Sequence, residues 1–297
     1  MKIFKIIICI KQVPMVSELP WDAKTGTLKR ELAQGMMDPS SRRAVEAGLQ
    51  IKEIRAAAGE QTRIVALSMG PPMAAEILYQ AKALGADKGV LLSDRAMAGA
   101  DTFLTSFILA QYIKKQAPDV DLVLCGSQSS DSETAQVGPQ LAGELSIPAI
   151  GYASDIKLQG NMVRVQRHVD DFLEILEMDL PGLVTIDQGA YDPRYTSLGG
   201  VQDAFNDASK DAASKDAAFE ADIIQVNAKE LGLDPAFNAV KDSPTRILDV
   251  YSPTTQKENI VLKGAPKIVV DQLFDEYGKI ISSAMGKDLK THGHGGE

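Results

Sequence analysis

Through its first 145 residues the chain alternates short apolar runs with amphipathic stretches. Phe4 to Ile10 is continuous and β-branched, the pattern of a parallel strand covered on both faces. Arg63 to Ser68, Val90 to Leu92 and Val120 to Cys125 repeat that pattern. Between them apolar residues return at helical spacing. Ala44, Ala47, Ile51 and Ile54 mark one stretch, 74–84 the next, 102–115 a third, and Leu141 with Leu145 a fourth. Asp38-Pro39 predicts the start of the first helix, an acidic cap followed by a proline at the first helical position. Asp101 is a candidate cap for the third. The fourth is predicted to open within Thr134-Ala135-Gln136-Val137-Gly138-Pro139, with Pro139 in the first turn or at a kink. Residues 15–37 read as loop. Strands and helices in this order predict an α/β fold with a doubly wound, mostly parallel sheet.

From about Ile156 the period shortens to two. Val163, Val165 and Arg167 alternate with polar neighbours, Phe172 to Met178 does the same, and Gly160-Asn161 and Asp170-Asp171 fall at turns. This predicts an antiparallel meander added to the sheet and finished by Leu183 to Ile186. Tyr191 to Leu198 follows as a stiff polar loop carrying one leucine. Residues 206–222 hold a direct repeat, Ala-Ser-Lys-Asp-Ala at 208–212 and again at 213–217, read as a low-complexity linker or weak helix. Strand-like Ile223 to Val226 comes next, then a helix striped by Val269, Leu273, Tyr277 and Ile280. These elements have little to bury against one another. The predicted organisation is therefore a nucleotide-binding domain over 1–205, a linker over 206–222, and a C-terminal extension over 223–297 that wraps a partner subunit or lies on the outside of the main domain.

Composition narrows the class. Of 297 residues 44% are hydrophobic, enough for a sizeable core. A net charge of −9 argues against a nucleic-acid binder, which needs a basic surface. No run of about 18 apolar residues occurs, so no membrane span is predicted. The opening residues read as a first strand rather than a signal peptide, and a cytoplasmic location is expected. Cys9 and Cys125 are the two cysteines, and both sit in strand-like runs, so buried thiols are expected rather than a disulfide.

Signatures of side-chain catalysis are missing. No HExxH, GxSxG, CxxC or lysine-containing phosphate loop appears. His168 is the one histidine outside the tail and lies in a strand-like run, where a structural role is the default. The His-Gly-His tail is read as a frayed terminus, not a metal site. Small or polar loops instead end three of the strands, at Cys9 to Val13, Ser68 to Pro72 and Gly126 to Ser132. Three such loops on one sheet edge suit an extended ligand such as a dinucleotide. Gly126 to Ser132 leads directly into a helix start, where free N–H groups and the positive end of the helix dipole can take a phosphate. An ordinary connection without a ligand has the same sequence features. Asp131 and Glu133 suit capping or ribose contacts better than acid–base work. The chemistry would then belong to a cofactor.

The residues so gathered resemble the β subunit of electron-transfer flavoproteins. The likeness spans most of 1–202: Cys9 to Pro14, Leu67 to Pro72, Ala83 to Asp87, Leu91 to Arg95, Ala98 to Thr102, Asp131 to Pro139, and Pro193-Arg194-Tyr195. The family forms a heterodimer with an α subunit that carries FAD, and its β subunit holds either AMP or, in the electron-bifurcating type, a second FAD. Thr134 to Pro139 and Gly99 to Thr102 resemble the FAD-binding branch, whereas Ser127, Ser132 and Glu133 depart from it, where Arg and Gly-Asp are common. The resemblance implies an adenosine end at Cys9, Asp38, Ser68 and Met69. It implies phosphate and ribityl contacts from Gly126, Gln128, Asp131, Thr134, Ala135, Gln136, Val137 and Gly138, and flavin neighbours at Asp101, Thr102 and Thr105. It also implies NADH as electron donor or acceptor, ferredoxin or flavodoxin as one partner, and an acyl-CoA or hydroxy-acid dehydrogenase as another, docked through Leu198. The alternatives are an ordinary β subunit with structural AMP and a stand-alone nucleotide-binding domain.

Overall fold

The computed structural model describes residues 2–15, 21–22, 27–28, 35–204, 223–245 and 261–291. The chain divides into two compact units, 1–248 and 249–297. The repeat within 206–222 and the His-Gly tail lie outside the described residues.

In the first unit β1 (Phe4–Cys9) is followed by the short β2 (Gln12–Pro14), β3 (Trp21–Asp22), β4 (Thr27–Leu28) and β5 (Gly35–Met37). Then come α1 (Pro39–Ala57), β6 (Thr62–Met69), α2 (Ala75–Leu84), β7 (Lys88–Leu92), α3 (Thr102–Gln116), β8 (Leu122–Gly126) and α4 (Val137–Leu145). The chain continues through β9 (Ala149–Gln159), β10 (Met162–Val169), β11 (Phe172–Asp179), β12 (Gly182–Ile186) and β13 (Ile223–Val226). Nine of the strands form one sheet in the order β11-β10-β9-β12-β8-β1-β6-β7-β13. From β13 to β9 all neighbours are parallel, and β9, β10 and β11 pair antiparallel. The α/β fold, the mostly parallel sheet and the meander are as the sequence predicts.

Strand pleating divides the core. Ile6 and Ile8 face a cluster shared with α1 and α2, while Ile7 and Leu67 face one shared with α3 and α4. All four are at most 2% exposed, and such burial contributes about 1.5–3 kcal/mol per side chain. Helices on both faces explain why the parallel strands read as unbroken apolar runs.

Two of these expectations are corrected. Residues 15–37 are not all loop, because β5 pairs antiparallel with β2, Val13 opposite Met36. β12 does not finish the meander. It inserts parallel between β8 and β9, which its wholly buried pattern requires of a strand covered on both sides. α4 opens at Val137, within the predicted 134–139 and just after Glu133 and Ala135, whose positive φ of 50° and 54° cannot belong to a right-handed helix.

Ile223–Val226, expected beyond the main domain, is the sheet's edge strand on β7. The second unit contains one long helix, Pro266–Thr291. It carries the predicted stripe, with Leu273 and Ile280 exposed. Among the described residues no helix is long and apolar enough to cross a membrane.

Candidate functional site

The sheet order reverses at β1. The chain steps outward from β1 to β6 and β7, then returns to β8 on the other side of β1. In open α/β sheets the ligand crevice lies at the carboxyl ends of the strands flanking such a reversal. Here those ends are Cys9 and Cys125, aligned as neighbours. Both are free thiols. The adjoining Cys125 and burial push the Cys9 thiol well up, so it stays protonated.

Three segments converge on this edge. The first turn of α1 is capped by Asp38, whose Oδ2 accepts from the Ser41 N–H at 3.0 Å. Its other oxygen, Oδ1, accepts from the Ser130 N–H at 2.8 Å. Asp38 also donates its own N–H to Lys11 O at 2.9 Å, and Lys11 N–H donates to Ser41 Oγ at 3.1 Å. Lys11 then reaches across the crevice. Its Nζ donates to Asp131 at 2.6 Å, Ser129 Oγ at 3.1 Å and Ser132 Oγ at 3.3 Å. Burial pushes the Asp131 carboxyl up, but the hydrogen bonds from Lys11, Ser129 and Ser132 outweigh it and hold it below the ordinary value. A charged lysine and an ionised aspartate therefore tether the loop after β8 to the loop after β1.

Gly126 fits beneath α1. A Cβ there would come within 2.6 Å of Ser40 Cβ and 2.7 Å of the Ser40 carbonyl carbon. Gly138 is buried against β12, and a Cβ there would meet Thr185 Cγ2 at 2.7 Å. Its close approach is thus to the sheet itself.

At the mouth, α4 starts without a side-chain cap. Its N-cap, Gln136, is in the right-handed region, after Ala135 in the left-handed one. Such an alternation turns successive N–H groups toward one side. Val137 and Gly138 have no intrahelical acceptor for theirs. Thr102, the first residue of α3, donates its hydroxyl to Gln136 Oε1 at 2.8 Å. Ser106 Oγ donates to Val137 O at 3.2 Å. Asp101 caps α3 through the Leu104 N–H at 3.0 Å, as its position suggests. Thr105 lies one turn further along.

On the other side of β1, Ser68 and Met69 end β6. Ser68 is 1% exposed, and its Oγ has no hydrogen-bond partner among the described residues. A buried orphan hydroxyl costs free energy unless something satisfies it. Of the residues singled out from sequence, Cys9, Asp38, Ser68, Met69, Gly126, Gln128, Asp131 and 134–138 gather at this edge, and Asp101, Thr102 and Thr105 flank it through α3.

Leu198 does not join them. Its loop lies over the helices of one face. Arg43 donates to Ala190 O at 2.6 Å, and Arg194 pairs with Glu46 at 2.8 Å and with Glu53. Gly200 sits directly against the Ala83 carbonyl. Leu198 itself is 87% exposed.

Sequence reasoning missed Lys11 as the tether, although its place just past the end of β1 was a usable signal. It placed Ser243-Pro244-Thr245 in the extension expected to embrace the α subunit and missed Ser243 and Thr245 as partners of Asp101.

Comparison with known proteins agrees with this architecture. The electron transfer flavoprotein domain matches residues 25–231. The caffeyl-CoA reductase-Etf complex subunit CarD of Acetobacterium woodii is 39% identical over 286 residues, covering 96% of this chain and 99% of that protein. The electron transfer flavoprotein subunit beta of Megasphaera elsdenii is 34% identical, covering 92% and 97%. The acryloyl-CoA reductase electron transfer subunit gamma of Anaerotignum propionicum is 35% identical, covering 92% and 98%.

Proposed function

The chain belongs to the electron transfer flavoprotein β-subunit family, and from that footing we propose that it binds FAD at the carboxyl edge of β1, β6 and β8 and bifurcates electrons with an α subunit. The electrons come from NADH and divide between ferredoxin or flavodoxin and a partner dehydrogenase of the acyl-CoA or hydroxy-acid type. In the reverse direction the same complex confurcates. The names of the relatives from A. woodii and A. propionicum, both CoA-ester reductase complexes, support the acyl-CoA class.

The observation that carries the reading is the orphan Ser68 hydroxyl on β6, set opposite the open amides of Val137 and Gly138 beyond β8. β6 and β8 stand two interstrand spacings apart, about 10 Å. A ligand satisfying both ends is extended, as a dinucleotide is. Ser68 with Cys9 and Met69 holds the adenosine end. The amides at the start of α4 hold the diphosphate, and Thr102 and Gln136 orient the ribityl and flavin. FAD, when bound, accepts a hydride and releases electrons singly. The protein's residues bind it, orient it and fix the loop around it.

Two exposed surfaces support partners. Phe172, Leu173 and Ile175 are exposed on the sheet's outer strand, and Leu273, Phe274 and Ile280 are exposed on the long C-terminal helix. Uncovered apolar surface of this kind suits a partner subunit. Leu198, exposed at the first residue of a short helix over 198–204 that follows the Arg194-anchored loop, docks the dehydrogenase.

Nucleotide extraction from the purified heterodimer tests the assignment. Two FAD per αβ and full reduction by NADH are the expected result. One FAD with one AMP overturns it in favour of an ordinary β subunit.

A further inference from the structure

Residues 223–245 run alongside the loop joining β7 to α3 and are tied to it repeatedly. Ser93 N–H donates to Val226 O at 3.0 Å, and Ala228 N–H donates to Asp94 Oδ2 at 3.1 Å. Val240 lies against Gly99, where φ is 77° and a Cβ would come within 2.7 Å of Val240 Cγ2. Asp101 N–H donates to the buried Ser243 Oγ at 3.1 Å. Thr245 donates twice to Asp101 Oδ2, through its N–H at 3.1 Å and its hydroxyl at 2.8 Å.

The ties end on a residue with two duties. Asp101 Oδ1 caps α3 through the Leu104 N–H, while Oδ2 is held by Thr245. The adjacent Thr102 donates to Gln136 Oε1. Gln136 is the residue before α4 and makes no capping bond of its own. An unbroken chain of contacts therefore runs Thr245–Asp101–Thr102–Gln136. It joins the nucleotide edge to the last described residues before the first unit ends at 248.

We propose that Thr245 is a positioning residue for the nucleotide site, so that nucleotide loading and the seating of 238–245 form one coupled equilibrium. The proposal rests on the nucleotide reading above. Seated, Thr245 fixes the Asp101 carboxylate from the side opposite its cap. The first turn of α3 is then held, and Thr102 aims the Gln136 side chain at the start of α4. Unseated, Oδ2 turns to water and Gln136 loses its fixed partner. A nucleotide that orders Gln136 must, by linkage, tighten residues 243–245 by the factor by which their seating tightens the nucleotide. The seating of residues 243–245 thus reports on, and biases, the loading of the site.

The test uses the intact heterodimer, stripped of nucleotide and titrated with FAD and with AMP. Thr245→Val keeps the shape and removes the hydroxyl donor, and the tighter-binding nucleotide is expected to weaken by about fivefold. Thr245→Ser is expected to restore wild-type affinity. Hydrogen exchange at the Thr245 amide is expected to slow on nucleotide binding in the wild type and to lose that protection in Thr245→Val. Affinity within twofold of wild type in Thr245→Val, with exchange at Thr245 indifferent to nucleotide, overturns the coupling and leaves the nucleotide site standing. A wild-type heterodimer that rebinds neither FAD nor AMP overturns both. Should Thr245→Val fail to fold, wild-type exchange decides alone: protection supports the coupling and its absence rejects it.

Discussion

Asp38 and Ser130, 92 residues apart, are joined by a 2.8 Å hydrogen bond from the Ser130 N–H to Asp38 Oδ1. The carboxylate that starts α1 therefore also clamps the loop after β8. Asp38→Ala removes both contacts. Loss of the cap alone is expected to cost about 1–2 kcal/mol in urea denaturation, and nucleotide retained through purification should fall with it. Asp38→Asn keeps one acceptor where the carboxylate uses two and should recover only part of the stability. Equal stability of Asp38→Ala and wild type would falsify the clamp.

Glycine substitutions separate close approach from helix propensity. Gly126→Ala drives a methyl into the Ser40 backbone, which cannot swing away, and should cost about 1–3 kcal/mol. Gly143→Ala, in α4 with nothing within 4 Å of the added carbon, should be neutral or stabilise by up to about 1 kcal/mol. Thermal melts of the two variants, run side by side, check the contrast. A stable Gly126→Ala would mean that α1 does not press on β8.

The loop anchored by Arg194 carries its own pH dependence. Burial pushes the Glu46 carboxyl up, but hydrogen bonds from Arg194 and Gln50 outweigh it and hold it below the ordinary value. A depressed folded value means that this stabilisation is complete above the unfolded value, about 4.3. It is lost as pH falls below that toward the folded value. Arg194→Met should flatten the acid limb of a melting-temperature profile. An unchanged limb would show that the pair contributes nothing across that window.

Leu198 exposes 87% of its surface and buries little against its own fold. Leu198→Ala should leave stability within about 0.5 kcal/mol of wild type and leave nucleotide content unchanged. Electron transfer to the partner dehydrogenase should weaken by more than about fivefold, the loss typical of an interface anchor. Steady-state titration with the partner reads this directly, and unchanged half-saturation removes Leu198 from the interface.

Much of this was legible in the chain. The Asp38-Pro39 and Asp101 caps were readable because capping is settled within four residues. The doubly wound order was readable because strands covered on both faces leave unbroken apolar runs. The shared edge of the three loops followed, since winding order places them together. The start of α4 was readable only to within 134–139, since the positive φ of Glu133 and Ala135 just before Val137 runs against the local preference of non-glycine residues. β12 was misread because a run of five apolar residues does not state which neighbour it will pair with.

By itself, then, the sequence determined which segments are strands and helices, where most helices begin, and which loops share an edge. Those properties follow from hydrophobic period and local backbone chemistry. Only the tertiary structure decided that Lys11 holds Asp131, that Asp101 is shared between Leu104 and Thr245, that Ser68 has no partner among the described residues, and that Ile223–Val226 forms the edge of the sheet. A polar side chain reveals its character locally, but its partner is whichever group the folded chain brings within about 3 Å. For Lys11 and Asp131 that group lies 120 residues away.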